Sequence, residues 1–185
     1  LCVHDRDNTH VVVSLMDSGK YGFLLESIGV TVHYLNMTPG RIKLSCLVSL
    51  YKIIKISRPD VVQTWMYHAD LLGGIIAWLA GVKRIFWGVH HSDLIKGESK
   101  KSTIVIARIN SVLSNFIPEK IVYCAEKARI VHENLGFKTF KSVVIANGYD
   151  IDVFKPNEIS RLDFRNELGV NSTDFLIGNV GRFHP

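Results

Sequence analysis

Short β-branched runs alternate with amphipathic stretches along nearly the whole chain, and few folds accept that order of elements. The strand-like runs lie at 11–15, 31–35, 61–65, 84–89, 120–124, 143–146 and 175–180. Helical spacing fills 19–28, 41–57, 69–80, 100–117, 125–135 and 160–168. Strand, helix, strand, repeated, predicts an α/β chain with a Rossmann-like, doubly wound parallel sheet covered by helices on both faces. Gly29, Gly81, Gly136 and Gly169 each follow a helical stretch, where glycine supplies the left-handed conformation that closes a helix. In such sheets ligands gather beyond the carboxyl ends of the strands, so the loops opening at Asp17, Tyr67, His90, Ala125 and Asn147 are the ones to search.

With 185 residues, the chain suits one domain, and two complete ones would crowd it. Asn147 and Gly148 form a turn-prone pair ahead of Asp150, Asp152 and Pro156, after which a new helix and strand begin. The expected organisation is therefore a domain over 1–146, a linker over 147–158, and the opening of a second domain over 159–185. The start at Leu1, without an initiator Met or a basic segment ahead of an apolar one, and the stop just after a strand suggest a piece cut at both ends.

Several function classes are disfavoured. The longest apolar run, 71–82, is closed by Asp70 and Lys83, short of the ~20 residues a transmembrane helix needs. Cys2, Cys46 and Cys124 are scattered, giving neither a disulfide framework nor a zinc spacing; a reducing cytoplasm is expected, and no metal. No G-x-G-x-x-G, P-loop, G-x-S-x-G or H-E-x-x-H is present, which argues against a dehydrogenase, an ATPase and the commonest hydrolases. Arg41, Lys43, Lys52, Lys55 and Arg58 occur with no acidic residue between Ile28 and Pro59 and account for the whole formal charge of +5. That local basic surface faces phosphates, anionic lipid or simply water. No nucleic-acid partner is expected.

The candidate binding residues sit in the selected loops. His90 and His91 end the 84–89 run, and adjacent strand residues point oppositely, so one imidazole enters the crevice. There it would donate a hydrogen bond to a sugar hydroxyl or a phosphate oxygen; the bland alternative is a solvent-facing loop histidine. His68 has a similar place after 61–65, unless Asp70 holds it in a helix-capping network. Lys20, beside Gly19, is an anion-binding candidate or merely a solvated lysine. The helices at 41–57 and 100–117 mix apolar and basic residues, as an interfacial helix on anionic lipid does and as an ordinary helix packed on a sheet also does.

Three stretches carry a family likeness: Arg58 through Gly73, Trp87-Gly88-Val89-His90-His91-Ser92-Asp93, and Ile145-Ala146-Asn147-Gly148-Tyr149-Asp150 through Pro156. The chain resembles the N-terminal half of the family 4 glycosyltransferases, retaining enzymes of the two-domain GT-B fold, and the last stretch is similar to that family's interdomain linker. The resemblance implies transfer of a sugar from a nucleotide-sugar donor to a saccharide or lipid-linked acceptor, in cell-surface polysaccharide, lipopolysaccharide or glycolipid synthesis, with no cofactor or metal. It implies an acceptor side over 1–146 and a donor-binding domain opening at 159–185. His90 is then the catalytic residue near the transferred sugar, with His68, His91, Asp93 and Lys20 as substrate contacts. Gly181 and Arg182 would meet the donor diphosphate, Arg182 neutralising charge on the leaving group. Localisation would be cytoplasmic, with peripheral contact to the inner face of an anionic membrane. Ala125 stands where the family often has serine, and the family's first, central strand is missing. That loss leaves two inner edges unpaired, so the chain by itself is expected to be poorly stable and inactive. A GT-B nucleotide-sugar epimerase and a non-catalytic remnant or binding domain are the competing readings.

Overall fold

The computed structural model describes residues 7–91 and 101–181. The chain divides into two compact units, Leu1–Asn147 and Gly148–Pro185. The first unit holds six strands: β1 (Val11–Ser14), β2 (Thr31–Tyr34), β3 (Val61–Trp65), β4 (Arg84–Val89), β5 (Lys120–Tyr123) and β6 (Ser142–Val144). Between them run α1 (Gly22–Ser27), α2 (Leu44–Ser57), α3 (Tyr67–Leu79), α4 (Lys101–Leu113) and α5 (Glu126–Leu135), with a short 3-10 turn at Thr139–Lys141. Helices α1, α2 and α4 are each shorter than the stretches of helical spacing at 19–28, 41–57 and 100–117.

All strand pairs are parallel, but they form two sheets, β1-β2 and β3-β4-β5-β6. The break falls between β1 and β3, where the family resemblance leaves two inner edges unpaired. Among the described residues, each of these two strands has a ladder on one side only.

The core lies between the four-stranded sheet and the helices, with α3 packed against both α2 and α4. Ile85, Trp87 and Val89 alternate along β4 and are buried to within about 1% of their surface, as period-2 side chains on the covered face should be. Helix α3 approaches the sheet closely because Gly73 and Gly74 carry no side chains there. A β-carbon on Gly74 would sit 2.7 Å from Trp87 Nε1, and one on Gly73 would sit 3.0 Å from Thr64 Cγ2. The closing glycines behave as expected: Gly81 (φ 88°) and Gly136 (φ 106°) end α3 and α5, and Phe137 N–H then reaches back to the His132 carbonyl at 3.0 Å.

The second unit contains α6 (Glu158–Glu167), capped by Asn157, whose Oδ1 accepts from the Ser160 amide at 3.0 Å. Arg165 Nη2 donates to the Asp174 carbonyl at 2.9 Å, and Asp174 Oδ2 accepts from the Asn171 amide at 2.8 Å. The expected strand at 175–180 is not one: these residues run irregularly, with Phe175, Ile177 and Val180 almost fully exposed. A strand is defined by its neighbour, and no described residue pairs with this segment.

Candidate functional site

The carboxyl ends of β3, β4 and β5 carry a cluster of aromatic and polar groups. At the end of β3 the chain turns into α3 through Met66, which adopts φ 76°, ψ 150°. That region is essentially reserved for glycine, so the turn holds a strained residue. The Met66 amide is anchored to the Gly88 carbonyl at 3.0 Å, and Asp70 N–H returns to the Met66 carbonyl at 2.9 Å. The turn aims Tyr67 inward and leaves His68 exposed.

Tyr67 is buried and held at both ends. Asn110 Nδ2, from α4, donates to its backbone carbonyl at 2.9 Å, and its hydroxyl lies 2.5 Å from Nε2 of His132 on α5. His132 is wholly buried, and its Nδ1 lies 2.6 Å from the Ala128 carbonyl. A carbonyl only accepts, so Nδ1 carries the proton and Nε2 accepts from the phenol. Burial holds the His132 imidazole below its ordinary pKa, with the Ala128 bond opposing, and burial pushes the Tyr67 phenol up. The pair therefore stands as neutral imidazole and neutral phenol. Tyr123, at the end of β5, tilts against His132 with ring centres 5.6 Å apart.

Asp70, on the first turn of α3, is wholly buried. Burial pushes its carboxyl up to about 8, against the lowering effect of Thr64. Thr64 Oγ1 lies 2.5 Å from Asp70 Oδ1 and 3.4 Å from the Phe86 carbonyl. One hydroxyl has one proton, so both contacts are hydrogen bonds at once when Asp70 carries the acid proton and Thr64 passes its own to Phe86. Asp70 thus belongs to the core, and the alternative reading of His68, a helix-capping network with Asp70, is not formed: the N-terminus of α3 has no side-chain cap.

His90 and His91 both follow β4 and are exposed. The His91 ring lies flat over Tyr67, with centroids 5.4 Å apart and planes 14° from parallel. His68, the second residue of α3, is exposed. Lys20 stands in the loop after β1, its ammonium 5.7 Å from the centre of the Tyr21 ring, while Gly19 N–H bonds Asp17 Oδ1 at 3.0 Å. Ala125 precedes α5 in extended conformation without a cap bond, and Glu126 pairs with Arg129, which also reaches Glu133 at 2.7 Å. Gly181 is exposed in the second unit; Asp93 and Arg182 lie outside the described residues. Among the described residues no cluster of three or more His, Cys, Asp or Glu has metal-binding geometry, and no helix is long and apolar enough to cross a membrane.

Sequence reasoning missed Tyr67, Asn110 and His132. The available signal was the stripe Ala128, Val131, His132, Leu135 on α5, whose spacing places a histidine on the covered face.

Residues 3–153 match the family model described as Glycosyltransferase Family 4. Over 140 residues the chain is 30% identical to an Escherichia coli protein, UDP-Gal:alpha-D-GlcNAc-diphosphoundecaprenol alpha-1,3-galactosyltransferase; the alignment spans 75% of this chain and 36% of that one. Among solved structures it is similar to Anabaena Alr3699/HepE in complex with UDP-glucose, with TM-score 0.65 and 19% identity over 86% of this chain and 42% of that one. It is also similar to UDP-N-acetylglucosamine 2-epimerase from Rickettsia bellii, with TM-score 0.52 and 15% identity over 88% and 44%. The chain therefore spans well under half the length of each of these relatives.

Proposed function

The chain belongs to glycosyltransferase family 4, and on that premise we propose that it is the acceptor-side part of a retaining glycosyltransferase. The full-length protein moves a sugar from a nucleotide-sugar donor to a saccharide or lipid-linked acceptor in cell-surface polysaccharide or glycolipid synthesis. The observation that carries this reading is the 30% identity to the E. coli galactosyltransferase, whose name specifies a UDP-sugar donor and a polyprenyl-diphosphate-linked acceptor. A donor of the UDP-sugar class and a diphosphate-anchored acceptor follow for this protein.

In this reading the histidines after β4 act at the transferred sugar. His90 is the catalytic residue, and His91 and His68 bind substrate hydroxyls or phosphate oxygens. Lys20 and Asp93 are further substrate contacts. Gly181 and Arg182 open the donor side after the linker over 147–158, with Arg182 placing its guanidinium on the diphosphate. The reaction uses the nucleotide sugar as substrate and takes no metal.

Peripheral contact with the inner face of an anionic membrane belongs to the same reading and is supported by α4. Its outer face presents Val105, Ile109 and Val112, each about half exposed, on the side opposite buried Ala107, Asn110 and Ser111. Lys101 and Arg108 are exposed on the same helix, which carries no acidic residue. An apolar stripe flanked by cations is the pattern that rests at the headgroup boundary. Flotation with phosphatidylglycerol vesicles but not phosphatidylcholine vesicles is expected.

The decisive experiment supplies full-length protein with UDP-galactose, UDP-glucose and their N-acetyl counterparts, with a polyprenyl-diphosphate-linked sugar as acceptor. Transfer with retained anomeric configuration is expected. Interconversion of the nucleotide sugar without transfer would establish the epimerase reading instead, and neither reaction would leave a non-catalytic binding domain.

A further inference from the structure

The exposed His91 and the buried His132 are joined by one side chain, Tyr67. We propose that Tyr67, locked by His132, is a positioning residue that fixes the His91 imidazole at the carboxyl end of β4.

A histidine on an exposed loop ordinarily samples several rotamers, and ordering it at the moment of binding costs affinity or rate. Here the ring has a floor. It lies over the Tyr67 phenol at 5.4 Å and 14°, an offset-stacked geometry that favours one ring plane. The floor is itself immobile. The Tyr67 backbone is pinned by Asn110 from α4, its hydroxyl by His132 from α5, and His132 by the Ala128 carbonyl one turn earlier. Helices α3, α4 and α5 thus converge on Tyr67, α4 at its backbone carbonyl and α5 at its hydroxyl. The strained Met66 turn, with φ 76°, is what delivers Tyr67 into this position instead of leaving it outside with His68.

Packing alone does not call for this arrangement. Phenylalanine at 67 would fill the same volume, whereas the phenol serves to accept a fixed orientation from a buried, neutral imidazole whose other nitrogen is already committed. The result is a histidine whose stacked face is occupied and whose nitrogens, without a hydrogen-bond partner among the described residues, can meet a hydroxyl or phosphate oxygen. This deepens the transferase reading above and rests on it for the identity of that oxygen, but the positioning itself is a property of this chain's own residues.

The test uses full-length protein with ring-labelled histidine, observed by NMR, with the His91 signal assigned through His91→Ala. The wild type is expected to show nuclear Overhauser contacts between the His91 and Tyr67 rings and an upfield-shifted His91 signal. Tyr67→Leu moves that signal to the position of free histidine, and His132→Leu weakens the contacts by releasing the phenol. In transfer assays Tyr67→Leu lowers kcat/KM on the order of tenfold to a hundredfold, the scale expected when a substrate-positioning group is misplaced. In a His91→Ala background it lowers kcat/KM no further. Absence of the ring-to-ring contacts in wild type, or equal losses from Tyr67→Leu with and without His91, overturns the proposal. Should Tyr67→Leu fail to fold, the wild-type contacts alone decide. A wild type that shows the contacts but transfers no sugar defeats the transferase reading and leaves the positioning standing.

Discussion

Trp87 occupies the space that a side chain on Gly74 would need: the indole Nε1 lies 2.7 Å from where a β-carbon would stand. Helix α3 and strand β4 meet at this point, and Trp87, wholly buried, has no room to withdraw. Gly74→Ala should therefore destabilise the protein by about 1–3 kcal/mol, the usual cost of overpacking. Gly73→Ala, which meets only the Thr64 methyl at 3.0 Å, should cost less. Urea unfolding of the two variants beside wild type gives the order directly.

Met66→Gly should act in the opposite direction. Methionine at φ 76°, ψ 150° stores backbone strain of about 1–3 kcal/mol, and glycine takes that conformation freely. Glycine's greater freedom in the unfolded chain offsets part of the gain. A net stabilisation on the order of 1 kcal/mol, read as a higher urea midpoint with unchanged slope, is expected; a lower midpoint would show that the turn is not strained.

Asp70 makes stability depend on pH. Its carboxyl is raised from 3.8 unfolded to about 8 folded, so between those values the unfolded chain has released a proton that the native one retains. The contribution is full below 3.8 and is lost as pH rises through 8, at up to about 1.4 kcal/mol per pH unit. His132 works at the other end: its folded pKa lies below 6.5, so the unfolded state takes up the extra proton and stability falls as pH drops below 6.5. Asp70→Asn should flatten the decline on the alkaline side and leave the acid limb intact. Urea midpoints measured from pH 5 to 8.5 would show this, and an unaltered alkaline slope would relocate its source.

His90→Ala should reduce turnover more than donor affinity, since a group acting at the transferred sugar matters most when charge develops. Steady-state transfer kinetics with calorimetric donor binding separates the two effects. If His90→Ala is silent while His91→Ala is not, the catalytic role belongs to the stacked imidazole.

Much of the fold was legible because β-branched runs and closing glycines are local signals. The strands from 61 to 144 and the conformations of Gly29, Gly81, Gly136 and Gly169 follow from residues within a few positions of each other. The break between β1 and β3 was legible only through the family resemblance, and the irregular course of 175–180 was not legible, because it depends on which segment lies alongside. The site divides in the same way. His68, His90 and His91 stand out as polar residues at strand ends, but Tyr67 and His132 are 65 positions apart and meet only when α3 and α5 are folded onto the sheet. Asp70 stood out only as the alternative capping partner of His68, since a sequence does not show that its carboxyl faces Thr64.

The unshared edges of β1 and β3 bear on how the molecule behaves in the test tube. Among the described residues, each presents amides and carbonyls that no ladder pairs at the margin of a parallel sheet. Expressed by itself, this stretch should recruit any extended peptide within reach, including its own siblings, and enter the aggregated fraction as concentration rises.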